Sequence, residues 1–204
     1  MIQTIIFDLA EVLVSGMHGV ERPLACRLGI AEEGLLRGLG GEVFLGLMRG
    51  QVTEDAYLAW AIDTYGWDIA PDELKQIVRD NFRHPVPGTA ALAEELAGRY
   101  ELALLTDHGR EWMAHILTLH PFLELFDHVL TSYDLGRIKA DPGTFDVVLD
   151  ALGREAHECL FVDDNPVNVD AAGAAGIDAI LFESAEQLRG ELARRGVLDG
   201  REPQ

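Results

Sequence analysis

Acidic residues follow three apolar runs of this sequence, at the point where each run ends. Asp8 follows the first run, Asp107 the second, and Asp163 with Asp164 end the fourth, while Lys139 lies in a loop after the third. Carboxylates packed together are unfavourable neighbours unless a cation compensates them. A hard divalent ion binds oxygen ligands, and Mg²⁺ is the simplest candidate. The residue types therefore predict a site for Mg²⁺ and a lysine, provided that the fold brings these positions together.

Taken singly, each of these residues has an ordinary alternative role. Asp8 could be a solvated loop acid, Thr106 could cap a helix that begins near Gly109, and Lys139 could be a surface lysine. The four clusters in this order and spacing are more specific than any one of them, and together they favour the site.

Five apolar runs predict the strands that would position these residues. The runs are nearly continuous in Leu, Ile, Val and Phe, which is typical of parallel strands covered on both faces. They span residues 2–7, 101–106, 128–132, 159–163 and 178–183. Helical segments alternate with the last four runs, which predicts an α/β fold with a doubly wound parallel sheet. Ligands of such sheets bind beyond the carboxyl ends of the strands, where the acids would meet.

Two of these helical segments begin with a capping side chain followed by proline. Asp141 before Pro142 and Asn165 before Pro166 are the predicted N-caps, and Gly153 is a predicted stop signal. These signals place two helices directly after the Lys139 loop and the Asp163–Asp164 pair.

A long connection separates the first strand from the helix near residue 87, and its sequence is helical in pattern. An unstructured loop of that length would be unusual in a compact domain. Helices are predicted over residues 19–29, 31–40, 52–66 and 70–82, with Thr53 at the start of the third. We therefore expect a helical cap domain over residues 15–85, inserted into a core of residues 1–14 and 86–204. The aromatic and methionine side chains predicted to fill the cap interior are Phe44, Met48, Tyr57, Trp60 and Trp67.

Composition excludes several classes of partner. The 16 basic and 35 acidic residues give a net charge of −19, which argues against nucleic acid and anionic lipid. Cys26 and Cys159 match no metal-site spacing, and a reduced, buried Cys159 would fit the cytoplasm. The first residues lack a basic start and a cleavage site, so we expect no signal peptide. No apolar run approaches the roughly 20 residues of a membrane helix. Residues 199–204 are expected to be a frayed tail, and the oligomeric state stays open.

Four motifs resemble those of the haloacid dehalogenase-like hydrolase superfamily, over nearly the whole chain. The motifs are "FDLAEVLV", "LLTDHG", "GRIKADPGTFD" and "FVDDNPVNVDAAGAAGI". The resemblance implies that Asp8 is the nucleophile, that Thr106 hydrogen-bonds the phosphoryl group and that Lys139 steadies both. It also implies that Asp163 and Asp164 hold Mg²⁺. The stretch "LMRGQVTEDAYLAW" is similar to the helical cap of the family, and the first motif is similar to a glucose-1-phosphate phosphatase subgroup.

The sequence departs from this family at a position that matters for catalysis. Many family phosphatases carry a second aspartate two residues after the nucleophile, where this chain has Ala10. The backbone carbonyl of Ala10 can still bind the metal, but the acid and base are missing. Glu11, Asp107 or His108 could substitute, although His108 by itself is interpreted as an ordinary polar residue, as is His84. The resemblance implies that Thr106, Asp107 and Lys139 contact the substrate.

These observations predict a Mg²⁺-dependent phosphatase that acts on a small phosphorylated metabolite through an aspartyl phosphate. Loss of a general acid costs about 10²- to 10⁴-fold in rate, so good leaving groups should be favoured. Two alternatives stay open. One is a non-catalytic or very slow relative that binds a metabolite, which the missing acid at Ala10 favours. The other is a metal-independent 2-haloacid dehalogenase, which the acid pair Asp163 and Asp164 opposes.

Overall fold

A parallel sheet forms the centre of the computed structural model, which describes residues 1–35 and 39–198. Its five strands lie in the order β3-β2-β1-β4-β5. They are β1 (Thr4–Phe7), β2 (Glu101–Thr106), β3 (His128–Thr131), β4 (Cys159–Asp163) and β5 (Asp178–Leu181). All four neighbouring pairs are parallel, and Phe7 of β1 is aligned with Leu104 of β2 and Val162 of β4. The predicted strands are confirmed, with β1, β3 and β5 shorter than expected.

Helices cover both faces of the sheet. They are α1 (Glu21–Leu28), α2 (Glu42–Met48), α3 (Glu54–Tyr65), α4 (Pro71–Asn81), α5 (Thr89–Leu96), α6 (Arg110–Leu119), α7 (Ser132–Leu135), α8 (Thr144–Leu152), α9 (Pro166–Ala174) and α10 (Ala185–Arg194). Successive residues of β1 belong to different apolar clusters, with Ile5 and Phe7 in one and Ile6 in the other. Because side chains of a strand alternate between its faces, each face of the sheet packs on its own core. The doubly wound α/β fold is therefore confirmed.

The strand order places a switch point beside β1. The chain runs from β1 to β2 and β3 on one side and then crosses to β4 and β5 on the other. The carboxyl ends of β1 and β4 therefore border the crevice in which doubly wound sheets bind ligands. Asp8 and Asp163 lie at these two ends.

The predicted helix caps were correct at two sites and wrong at a third. Thr53 accepts a hydrogen bond from the Ala56 N–H, and Asn165 accepts one from the Val167 N–H. Asp141 is not an N-cap, because α8 begins at Thr144 after Gly143, which has a φ of 76°. The Asp141 carboxylate instead pairs with Arg49 at 2.8 Å and accepts a hydrogen bond from the Ile138 N–H.

The inserted segment is helical, as expected, but its helices differ from the prediction. Helices α1, α3 and α4 correspond to predicted segments, and Gly153 ends α8 as predicted. Helix α2 was missed, because glycines at positions 40, 41, 46 and 50 obscure its apolar pattern. The predicted helix over 31–40 includes residues 36–38, and the predicted frayed tail comprises residues 199–204; both sets lie outside the described residues.

The two connections of the insertion lie side by side. The Ser15 N–H donates to the His84 carbonyl at 2.8 Å, and the Val86 N–H donates to the Leu13 carbonyl at 2.9 Å. The cap boundaries at 15 and 85 stay a prediction. Within the described residues, no helix is long and apolar enough to cross a membrane.

Candidate functional site

Asp8 is held rigidly at the carboxyl end of β1. Its N–H donates to the Val162 carbonyl of β4 at 2.8 Å, which extends the sheet by one hydrogen bond. Its carboxylate accepts the Leu9 N–H at 2.6 Å and lies 2.7 Å from the Lys139 Nζ. The residue is only 5% exposed. A carboxylate in this position has one defined orientation and a cation beside it.

Asp163, at the end of β4, is fully buried and satisfied by several donors. The Lys139 Nζ lies 2.6 Å from one of its oxygens, and the Asn168 Nδ2 donates to both oxygens at 3.1 Å. The Asn165 N–H donates to Asp163 at 2.8 Å. Asp164, the next residue, is half-buried and lines the pocket above the strand ends. The two neighbouring acids therefore face different environments.

The donor set fits a hard divalent cation. One oxygen from each of Asp8, Asp163 and Asp164 lies within 4.8 Å of the others. The charges of Asp8, Asp163 and Asp107 act on Lys139, and Asp164 lines the same pocket, so the cluster holds more negative than positive charge. Oxygen ligands and uncompensated negative charge suit Mg²⁺.

The pKa values follow from this burial and crowding. Burial raises the pKa of Asp8 well above its usual range, and Asp163 and Asp107 raise it further, against the opposing effect of Lys139. Burial also raises the pKa of Asp164, helped by the charge of Asp163. Burial alone would lower the pKa of Lys139, but the charges of Asp8, Asp163 and Asp107 outweigh it and raise that pKa. Lys139 therefore stays protonated at neutral pH.

The end of β2 contributes three polar residues with different surroundings. Thr106 is fully buried, and its Oγ1 lies 2.7 Å from the Nδ1 of His108. It does not cap α6, whose N-cap is Gly109. Asp107 lines the pocket, and its two carboxylate oxygens accept the Lys139 N–H at 3.1 and 3.2 Å. Burial raises the pKa of Asp107.

His108 is a pocket residue that the sequence analysis undervalued. It is 4% exposed and packs near the rings of Phe82 and Trp112. Burial, with a smaller effect of the Lys139 charge, lowers the pKa of His108 to about 3, so the ring is neutral. Within the described residues, the one hydrogen bond of the His108 ring is the contact of its Nδ1 with Thr106. The one sequence signal for this position was its place two residues after Thr106.

The turn after Asp8 shapes one wall of the pocket. Glu11 has a φ of 59°, a left-handed conformation that non-glycine residues rarely adopt, and its carboxylate accepts the Gly16 N–H at 2.8 Å. A Cβ added to Gly16 would lie 2.8 Å from the Cβ of Ala10, so the turn requires glycine there. Ala10 itself lines the pocket.

The pocket has a volume of about 280 Å³ and is completed by the inserted helices. Asp8, Ala10, Asp107, Lys139 and Asp164 line it, whereas Asp163 and Thr106 are fully buried and contact Lys139 and His108.

The cap side chains divide between the pocket and the interior. Phe44 and Met48 of α2 line the pocket, so they are not purely cap core. Tyr57 is fully buried and donates its hydroxyl to the Leu39 carbonyl at 2.7 Å. Trp60 and Trp67 are partly buried against the main apolar cluster.

Known proteins resemble this chain over most of its length. It is 25% identical over 194 residues to a flavin mononucleotide hydrolase of Arabidopsis thaliana, covering 95% of this chain and 77% of that protein. It is 30% identical over 141 residues to a Mycobacterium tuberculosis phosphatase, covering 66% of this chain and 65% of that protein. It is 27% identical over 194 residues to a phosphoglycolate phosphatase of Yersinia pseudotuberculosis, covering 88% and 80%.

A solved structure and a family model indicate the same family as these relatives. A HAD family enzyme of Bacteroides thetaiotaomicron, solved in complex with magnesium and inorganic phosphate, superposes with a TM-score of 0.76. It is 18% identical, and the match covers 90% of this chain and 96% of that one. The sequence model of the haloacid dehalogenase-like hydrolase family matches residues 2–176. This chain therefore belongs to the haloacid dehalogenase-like hydrolase family.

Proposed function

We propose that this protein is a Mg²⁺-dependent phosphatase that acts on a small phosphorylated metabolite through an aspartyl phosphate on Asp8. The observation that carries the proposal is the cluster of Asp8, Asp163 and Asp164, the first two of which contact Lys139. The names of the relatives support hydrolysis of phosphate esters. Glucose 1-phosphate and a cytoplasmic location stay predictions from the sequence.

In the proposed reaction an oxygen of Asp8 attacks phosphorus, the P–O bond to the leaving group breaks, and the alcohol departs. Water then attacks the aspartyl phosphate, which releases inorganic phosphate and regenerates the Asp8 carboxylate. The ammonium of Lys139 stabilises charge on the phosphoryl oxygens, and the backbone holds Asp8 in one orientation for attack. Asp8, Asp163, Asp164 and the carbonyl of Ala10 would hold Mg²⁺, which when bound supplies further charge for binding and activating the phosphoryl group.

Of the three side chains that could replace the missing acid and base, we assign His108. Glu11 accepts the Gly16 N–H and Asp107 accepts the Lys139 N–H, so both carboxylates are already engaged. The contact of the His108 Nδ1 with Thr106 is the one hydrogen bond of this ring in the described part of the chain. In the tautomer whose Nδ1–H donates a hydrogen bond to the Thr106 Oγ1, the Nε2 carries a lone pair. The Nε2 lone pair could then accept a proton from water.

His108 should replace the missing acid and base only in part. A group with a pKa near 3 is a weak base at neutral pH. We therefore propose that turnover is slow with ordinary alkyl esters and faster with phosphates that leave without protonation, such as aryl, acyl and anomeric sugar phosphates.

A substrate panel tests the proposed function. We expect Mg²⁺-dependent release of phosphate from p-nitrophenyl phosphate, acetyl phosphate and glucose 1-phosphate, and slower release from glucose 6-phosphate. Flavin mononucleotide and phosphoglycolate belong in the panel because similar proteins bear their names. Binding of Mg²⁺ without turnover of any ester would instead support a non-catalytic relative, in which Ala10 explains the lost activity. Metal-independent release of halide from 2-chloropropionate would support the dehalogenase.

Replacing Asp164 with asparagine is expected to weaken Mg²⁺ binding by about 100-fold, because a neutral amide binds a hard divalent ion less well than a carboxylate. Asp164 is half-buried and faces the pocket. Asp170→Asn is the matched control, because this substitution removes the same charge from an exposed position of α9. Isothermal titration calorimetry measures both affinities. Equal affinities in the two variants would show that Asp164 is not a ligand.

Acidification should weaken Mg²⁺ binding at a higher pH than free aspartate would suggest. The pKa values of Asp8 and Asp164 lie above the ordinary value of 3.8, because burial disfavours their charged forms. Protons therefore compete with the metal as the pH falls through these raised pKa values, and binding releases protons. Calorimetry between about pH 8 and about pH 5, in buffers of different ionisation enthalpy, measures both effects. A Mg²⁺ affinity that stays constant over this pH range would contradict the assignment of Asp8 and Asp164 as metal ligands.

A further inference from the structure

The pocket has an acidic end and an apolar end. The acidic end holds Asp8, Lys139 and Asp164, while Phe44 and Met48 of α2 line the side formed by the insertion. These side chains come from parts of the chain that are distant in sequence. A phosphoryl group placed against Asp8 would therefore direct the rest of its ester toward the apolar side.

Trp112 contributes carbon surface to the same apolar end. Its ring centroid lies 6.3 Å from that of Phe44, and the side chain is 1% exposed. Its Nε1–H donates to the buried Glu54 carboxylate at 2.9 Å. Because the polar atom of the indole is satisfied by Glu54, Trp112 has no donor left for a substrate, and it offers the pocket only an apolar face.

The apolar space continues beyond this pocket. A second cavity of about 270 Å³ is lined by Met17, His18, Leu39, Gly40 and Phe44. Met17, His18 and Phe44 line both cavities. The two cavities are thus adjacent, and the second one extends the apolar end where an ester group would lie. Methionine and aromatic side chains of this kind pack well against a planar ring.

In the described lining of the two cavities, positively charged side chains are found only at the acidic end. Among the described residues that line the two cavities, Lys139 is the one lysine or arginine, and its Nζ already contacts Asp8 and Asp163. Two nearby arginines are also engaged, Arg49 with Asp141 and Arg79 with Glu54. Among the described lining residues, a carboxylate or second phosphate on the ester group would find no lysine or arginine free to pair with it. The net charge of −19 would oppose it further.

We propose that the substrates are phosphate monoesters whose leaving group is uncharged and apolar, with an aromatic ring held by Phe44, Met48, Trp112 and Met17. This inference rests on the proposed phosphatase activity and adds the class of leaving group. Phosphate esters that carry a second anionic group are expected to be poor substrates, whatever the chemical quality of their leaving group.

Two matched esters test this assignment. Phenyl phosphate and 4-carboxyphenyl phosphate share a ring and differ in one negative charge. We expect kcat/KM to be at least about tenfold higher for phenyl phosphate, because the described lining residues offer the extra carboxylate no free lysine or arginine. Equal kcat/KM values, or a preference for the carboxylated ester, would overturn the inference.

Variants of the apolar end test whether the preference for phenyl phosphate arises there. Phe44→Ala should raise the KM for phenyl phosphate by about tenfold, because it removes apolar contact with the ring. Leu45→Ala, on the same helix but outside both cavities, is the matched control and should leave KM unchanged. Met17→Lys adds a cation to the pocket and should shift the preference toward 4-carboxyphenyl phosphate. A preference that Met17→Lys does not change would contradict the assigned location.

A binding measurement separates this inference from the proposed reaction. Phenylphosphonate and 4-carboxyphenylphosphonate cannot be hydrolysed, and with Mg²⁺ present each can be tested by its effect on the melting temperature. Stronger stabilisation by phenylphosphonate, even in a protein that hydrolyses no ester, would uphold the apolar pocket while overturning the phosphatase. Turnover of both phenyl esters at the same rate, with equal binding of the phosphonates, would uphold the phosphatase and overturn the apolar pocket.

Discussion

Replacing Asp8 with asparagine is expected to reduce the Mg²⁺-dependent hydrolysis of p-nitrophenyl phosphate by at least about 10⁴-fold, or about 5 kcal/mol. Asparagine keeps the shape of the side chain but removes the nucleophilic oxygen anion. Asp163 does not take its place, because it is held by Lys139 and Asn168 and is fully buried. Steady-state kinetics measures the loss.

The loss must be separated from unfolding and from loss of the metal. Asp8 also contacts Lys139, so the variant should be compared with the wild type by circular dichroism and by Mg²⁺ titration. Asp170→Asn is the control for removal of an exposed acid. Acid-quenched wild-type enzyme should carry a phosphoryl group on the peptide that contains Asp8, and the variant should not. A folded, metal-binding variant with more than about one per cent of wild-type activity would rule out Asp8 as the nucleophile.

Placing an aspartate at position 10 is expected to increase turnover of glucose 6-phosphate by about 10²- to 10⁴-fold, the usual contribution of a general acid. Ala10 lines the pocket beside Asp8, so a carboxyl group there could protonate the leaving oxygen. The gain should be much smaller with p-nitrophenyl phosphate, whose leaving group needs no proton. Comparison of kcat for the two esters measures the difference.

Ala10→Asn is the matched control for this prediction, because it has the same shape and cannot transfer a proton at neutral pH. An equal gain in Ala10→Asp and Ala10→Asn would show that packing, and not proton transfer, limits the wild-type enzyme. No gain in Ala10→Asp would mean that proton transfer to the leaving group does not limit turnover. Glu11 and Asp164 line the same pocket as Ala10, and negative charges nearby raise the pKa of a carboxyl group, which suits an acid.

Features that depend on neighbouring residues were predictable from the sequence, whereas features that depend on contacts between distant residues were not. The strands were predictable because a continuous apolar run, which is typical of a strand covered on both faces, involves only a few neighbouring residues. Thr53 and Asn165 were correct caps, since a capping hydrogen bond spans two or three residues. Asp141 was wrong as a cap because its carboxylate pairs with Arg49, which lies 92 positions away in the sequence.

The pocket itself required the tertiary structure. The low pKa of His108 depends on burial beside Phe82 and Trp112, which no spacing in the sequence reveals. The apolar end of the pocket depends on α2, a helix that was not predicted because glycines interrupt its apolar pattern. Phe44 and Met48 lie near Trp112 only after the insertion packs on the core.

By itself, the sequence determined the order of the strands along the chain, the acids at their ends and the absence of a second acid at Ala10. Each of these is a matter of residue type and short-range pattern. Only the tertiary structure decided that Asp163 is fully satisfied while Asp164 faces the pocket, and that the pocket has an apolar end. Burial and contacts between distant residues set those properties, because they depend on how the whole chain packs.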